Sequence, residues 1–171
     1  WLDPSITDES RPENRERDLN LYDPLNPNQP PYSEDFIKEY RKKQIERNKR
    51  ITDWALAKLE SFCGDPTKEY GFAVHGTMAD PRWLDPKQEP NDRKAGWCYL
   101  GDPKVVNDSP IGLSRFSSIR SWLSQFSYEL SEADGEKCGR NTSVPTLVIG
   151  NSADDACPPS YNQRLYNSIT H

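Results

Sequence analysis

Two adjacent carboxylates, Asp154 and Asp155, stand in a polar loop between an apolar run, Thr146-Leu147-Val148-Ile149, and the helix-opening Pro158-Pro159-Ser160. A carboxylate so placed can fix the tautomer of a histidine and stabilise its charge while that histidine moves protons for a nucleophile. The hydroxyl nearest in sequence is Ser152, in Gly150-Asn151-Ser152-Ala153-Asp154. A nucleophile elbow needs Gly-x-Ser-x-Gly, because the last glycine lets strand and helix approach closely. Asp154 occupies that last position, which argues against Ser152 as a nucleophile. The histidines are His75 and His171. His171 closes a helical segment, where the helix dipole favours it. His75 follows a short apolar stretch and reads as a structural histidine, with contact to a substrate as the functional alternative.

The elements that would position these groups are legible from spacing. The β-branched run after Pro145 predicts a strand, 144–150, covered on both faces as in parallel sheets. The segment 160–169 predicts a helix with Tyr161, Leu165 and Ile169 on one face. Functional groups in open sheets sit just past the carboxyl ends of strands, which is where the two carboxylates fall. Upstream, Ser33 is a helix cap, and Glu34 and Asp35 suit the positive end of a helix. Apolar residues from Phe36 to Phe62, Ile45 among them, recur at helical spacing and predict one long helix over about 34–62, ended by Gly64 and Pro66. Its middle, Arg41 to Arg50, is dense in Lys and Arg. That density reads as a solvated helix face, with a patch for an anionic partner as the alternative. Ser109-Pro110 predicts a second helix start, with Ile111, Phe116, Ile119, Trp122, Leu123 and Phe126 on its buried side. That helix would feed the strand at 144 as a crossover unit. Gly71 to His75 reads as a short strand or extended segment.

The segment Val144-Pro145-Thr146-Leu147-Val148-Ile149-Gly150, then Asp154, then Pro158, resembles the strand, acid loop and helix that carry the triad acid in α/β-hydrolases. The resemblance implies an α/β fold in part: a mostly helical cap with loops over residues 1–108, then a core portion over 109–171 with one buried parallel strand and flanking helices. It implies Asp154 as the triad acid, with Asp155 as the alternative, and a small-molecule substrate carrying an ester or related carbonyl. In the cap, Trp83, Trp97 and His75 are the candidates to contact that substrate. The elbow and the catalytic histidine would lie outside this chain, so the remainder of the hydrolase core is required. The competing reading is a non-catalytic protein-interaction module.

Composition sets the limits. The chain has 171 residues, of which 33% are apolar, and a mean hydropathy of −0.96. Average globular domains run at roughly 45–50% apolar on a count that includes glycine. Ordered parts that lean on something further are therefore expected. The chain starts at Trp1-Leu2-Asp3-Pro4 without an initiator Met, so a preceding portion, and any signal within it, is expected too. A net charge of −5 argues against nucleic acid. No stretch is long and apolar enough to span a membrane, and a cytoplasmic location is expected. Cys63, Cys98, Cys138 and Cys157 are widely spaced and read as free thiols, with no metal site and no cofactor implied. Trp83-Leu84-Asp85-Pro86 repeats the opening tetrapeptide and reads as a Trp-anchored turn with Asp-Pro supplying the turn chemistry. Residues 1–32 read as loop, with Leu19, Leu21, Tyr22 and Leu25 as anchors.

Overall fold

The computed structural model describes residues 19–113 and 115–169. Trp1 to Pro4 and His171 lie outside them. The architecture is built on one long helix, α1 (Glu34–Glu60). Ser33 caps it, its hydroxyl accepting from Phe36 N at 3.2 Å, so an amide with no partner inside the helix is satisfied. Glu34 and Asp35 sit in the first turn, where the helix dipole favours negative charge. At the far end the chain reverses through Cys63 and Gly64, both at positive φ. Glycine alone takes that conformation at no steric cost.

The inward stripe of α1 serves two separate cores. Its first turns place Phe36, Ile37 and Tyr40 against Leu21 and Tyr32. Its later turns place Ile51 and Ala55 against Phe72, Val74, Ile119, Trp122 and Leu123. Between the two stretches the stripe turns polar, and Ile45, expected in it, is exposed.

The second core is closed by β1 (Gly71–Ala73), β2 (Phe116–Ser118) and α4 (Ile119–Gln125). β1 pairs with β2 in antiparallel register, Phe72 opposite Ser117. Ser118 both ends β2 and caps α4, accepting from Ser121 N at 3.3 Å. The rings of Trp54, Phe72, Trp122 and Phe126 follow one another at centroid distances of 5.0, 5.9 and 5.8 Å, within the range of favourable aromatic pairs. A third, smaller cluster gathers Met78, Trp83, Cys98 and Val106. It lies among α2 (Pro81–Leu84), α3 (Pro103–Asp108) and the connecting loops.

Two expectations are overturned. The first is the fold class. The described residues are mostly helical, and their one sheet is the antiparallel pair β1–β2. The α/β class with a buried parallel strand at 144–150 is not what forms. Residues 145–150 carry no regular structure, with Leu147 82% and Ile149 76% exposed. A parallel strand needs neighbours on both sides, and the described residues set no strand beside this run. Without it, the crossover unit falls as well.

The second is the helix expected from Ser109. Asp102-Pro103 carries the same cap-and-proline signal and starts α3, with Asp102 accepting from Lys104 N at 2.8 Å. Ser109 closes that helix instead of opening one. Gly112 at φ 137 breaks any continuation. The buried Arg115 then donates to the carbonyl oxygens of Ser109 and Asn107, which ties the end of α3 to the start of β2.

The C-terminal part consists of α5 (Gly135–Gly139) and α6 (Pro159–Ser168), which pack on each other. An Arg164–Glu136 ion pair joins them. No residue of α6 is buried.

Candidate functional site

The acid loop is local in its bonding. Asp154 Oδ1 accepts from Cys157 N at 2.8 Å and Ala156 N at 2.9 Å. These two amides hold its carboxyl below the usual carboxylate range, Cys157 the more strongly. The loop's backbone is docked on residues 82–93. Trp83 Nε1 donates to Asp155 O at 2.9 Å, Asp92 N to Ser152 O at 2.9 Å, and Asn91 Nδ2 to Asp154 O at 3.3 Å. Arg82 lies over the Tyr161 ring at 4.9 Å, which ties the start of α6 to the same place. Gly150 passes so close to α6 that a Cβ there would meet Asn162 Nδ2 at 2.8 Å.

The structure therefore brings Trp83 to the carboxylate pair, through the backbone of Asp155. Trp83 is itself buried in the third cluster. Trp97 is exposed, with Lys94 Nζ 4.6 Å from its ring centroid. His75 belongs elsewhere, on the wall of a cavity under α1. Ser152 is an exposed loop residue.

Beside Trp83, the Asp-Pro turn does the expected work. Asp85 is 1% exposed. Its Oδ1 accepts from Lys87 N at 2.9 Å. Its Oδ2 accepts from Tyr32 N at 2.8 Å and Gln88 Nε2 at 3.3 Å. Burial pushes this carboxyl up, but the hydrogen bonds outweigh burial and hold it below the ordinary range. Burial also drives the hydroxyl of Tyr32 up to about 12, and the Asp85 charge adds to the effect.

The cavity under α1 has a volume of about 440 Å³, within the range of small-molecule sites. Its floor is the segment 74–79, bonded to α1 side chain by side chain. Tyr40 Oη donates to Ala79 O at 2.7 Å, Gln44 Nε2 to the same oxygen at 3.2 Å, and Arg47 Nη2 to His75 O at 2.6 Å. Asn48 reaches the other side, donating to Phe126 O at 2.8 Å and accepting from Tyr128 N at 2.9 Å. These polar residues stand where the apolar stripe of α1 is interrupted. The interruption was the available signal, since inward polar positions on a core helix must find partners. The solvated face expected of the basic stretch describes Lys42, which is largely exposed, but not Arg47, which is bonded to the floor.

Among the described residues no group of His, Cys, Asp and Glu could hold a metal ion, and no helix is long and apolar enough to cross a membrane. Cys98 is a buried thiol, and Cys63, Cys138 and Cys157 are exposed thiols. No family model, curated protein or solved structure matches the chain.

Proposed function

We propose that this chain supplies the acid and part of the substrate-covering cap of a hydrolase that works by a nucleophile, a histidine and an acid. Its substrate would be an ester or related carbonyl compound. The observation that supports this most directly is the docking of the acid loop on the cap segment through Trp83 and Asp155, partners separated by 72 positions in sequence. A loop anchored in that way keeps a carboxylate in one place. The two amides on Asp154 keep it ionised, as an acid must be to stabilise an imidazolium. The nucleophile and the histidine would come from polypeptide outside the described residues, and this reading requires that remainder of the hydrolase. The role is assigned on the site and not on the fold, since one chemistry recurs on unrelated architectures.

The test is hydrolysis of p-nitrophenyl butyrate by the natural open reading frame that contains this chain. Asp154→Asn is expected to lower turnover by about 10⁴-fold, the scale seen when a triad acid is replaced, with an unchanged thermal transition. Loss of turnover in Asp155→Asn alone would move the role to Asp155. Full turnover in both variants would leave the interaction-module reading.

A further inference from the structure

We propose that residues 135–169 form a unit that undocks and unfolds on its own, held closed by a latch on residues 82–92. The chain leaves the main body at a sharp boundary. Ser131 N donates to Ser127 O at 2.9 Å, and Glu132 N to Ser124 O at 2.8 Å. Ser127 is itself pinned to α1, its hydroxyl accepting from Thr52 Oγ1 at 3.0 Å. Immediately beyond, Asp134 caps α5, accepting from Glu136 N at 3.0 Å. Ala133 is therefore the joint between body and unit.

Past that joint, attachment to the body is narrow. Among the described residues, the hydrogen bonds and ring contacts between 135–169 and 19–126 all fall on residues 82–92. They are Trp83 to Asp155 O, Asp92 N to Ser152 O, Asn91 to Asp154 O, and Arg82 over Tyr161. No residue of the unit belongs to the buried clusters of the body. Its own interior is thin, with only Gly139 and Pro158 buried. The Arg164–Glu136 pair that joins its helices is largely exposed, and such pairs are worth little. So little buried apolar surface does not offset the entropy of ordering the segment. The unit therefore stays folded only while the latch holds it. Regions with few buried contacts open at a fraction of the global cost. Release carries Asp154 away with the unit. On the hydrolase reading, on which this consequence rests, the latch decides whether the acid is presented; the release itself rests on the contacts alone.

Amide hydrogen exchange of the chain, read by mass spectrometry, tests the proposal. Amides of α5 and α6 are expected to exchange together, about tenfold or more faster than those of α4. Trp83→Phe keeps an aromatic ring and removes the N–H. It is expected to speed exchange across α5 and α6 about fivefold, the scale of one net hydrogen bond, and to leave α4 unchanged. Trp83 also packs in the third cluster, so Asn91→Asp supplies a second reading. That variant keeps the acceptor for Arg93 N and removes the donor to Asp154 O. It is expected to act in the same direction, again without change in α4. Exchange of α6 graded inward from its ends and untouched by either variant would overturn the proposal. So would one common rate for α4, α5 and α6, or equal acceleration of all three helices in both variants. Turnover enters none of these readings, so a failed hydrolase assignment and a failed latch are told apart.

Discussion

The two ends of this molecule are built on opposite terms. From Leu21 to Phe126 the chain buries aromatic and branched side chains in three clusters. From Gly135 to Ile169 only Gly139 and Pro158 are buried, and α6 buries nothing. Yet a run of three branched aliphatic residues, Leu147-Val148-Ile149, lies in the second part. The three-residue strands that do pair, Gly71–Ala73 and Phe116–Ser118, are unremarkable in composition. Burial follows the availability of a partner surface, not the local density of apolar residues. Ile119 is fully buried because α1, β1 and α4 converge on it, whereas Leu147 faces solvent because nothing described converges on it.

That contrast can be broken most easily at its strongest point. Ile119→Ala empties a site that is 0% exposed. It is expected to destabilise by about 2–5 kcal/mol, read by urea denaturation followed through tryptophan fluorescence. A loss under about 1 kcal/mol would mean that the second core is not the cooperative centre of the fold.

The next effect sharpens the boundary between the two parts, at the loop on which the acid segment docks. Asp85 accepts on both oxygens, and an amide side chain can accept on only one. Asp85→Asn is therefore expected to cost about 1–3 kcal/mol. The pH dependence has a definite sign. The folded carboxyl is held below its ordinary value, so its contribution is fully present above the unfolded value, about 3.9. It is lost as the pH falls through the folded value. Acid denaturation curves of the wild type and Asp85→Asn should converge at low pH. Parallel curves down to complete unfolding would show that Asp85 is not ionised in the fold.

The smallest expected effect is at the exposed run. Leu147→Ala should change stability by less than about 0.5 kcal/mol, the ordinary range for surface substitutions. If it instead costs as much as Ile119→Ala, the run 144–149 is buried in solution. If it is silent in this chain but lowers activity in the whole open reading frame, the run packs against polypeptide beyond the described residues.

Local elements were legible in the sequence wherever a strong side-chain signal stood alone. Ser33 with Glu34 and Asp35 marked the start of α1, Pro158-Pro159 the start of α6, and Trp83-Leu84-Asp85-Pro86 the turn. The fold class was misread because a run of β-branched residues states a preference for extended backbone, while a strand exists only when another backbone hydrogen-bonds to it. The helix start at Ser109 was misread because Asp102-Pro103 offers the same chemistry a few residues earlier. Of the site, the carboxylate pair and Trp83 were marked by residue type. Their hydrogen bond was not, since it joins segments far apart in the chain. The cavity was hidden because Arg47 and Asn48 look like surface residues until the 74–79 and 126–128 segments are placed against them.

The sequence by itself determined where α1 starts and stops and where α6 starts, which face of α1 turns inward at each end, and that Asp154 sits in a loop able to hold its charge. Those are consequences of neighbours within a few residues, where capping, dipole and periodicity act. Tertiary structure alone decided which extended segments became a sheet, which aromatic residues met, and that Arg47 and Asn48 reach the 74–79 and 126–128 segments. These depend on segments distant in the chain coming together, and no local preference encodes which surface will be there to meet them.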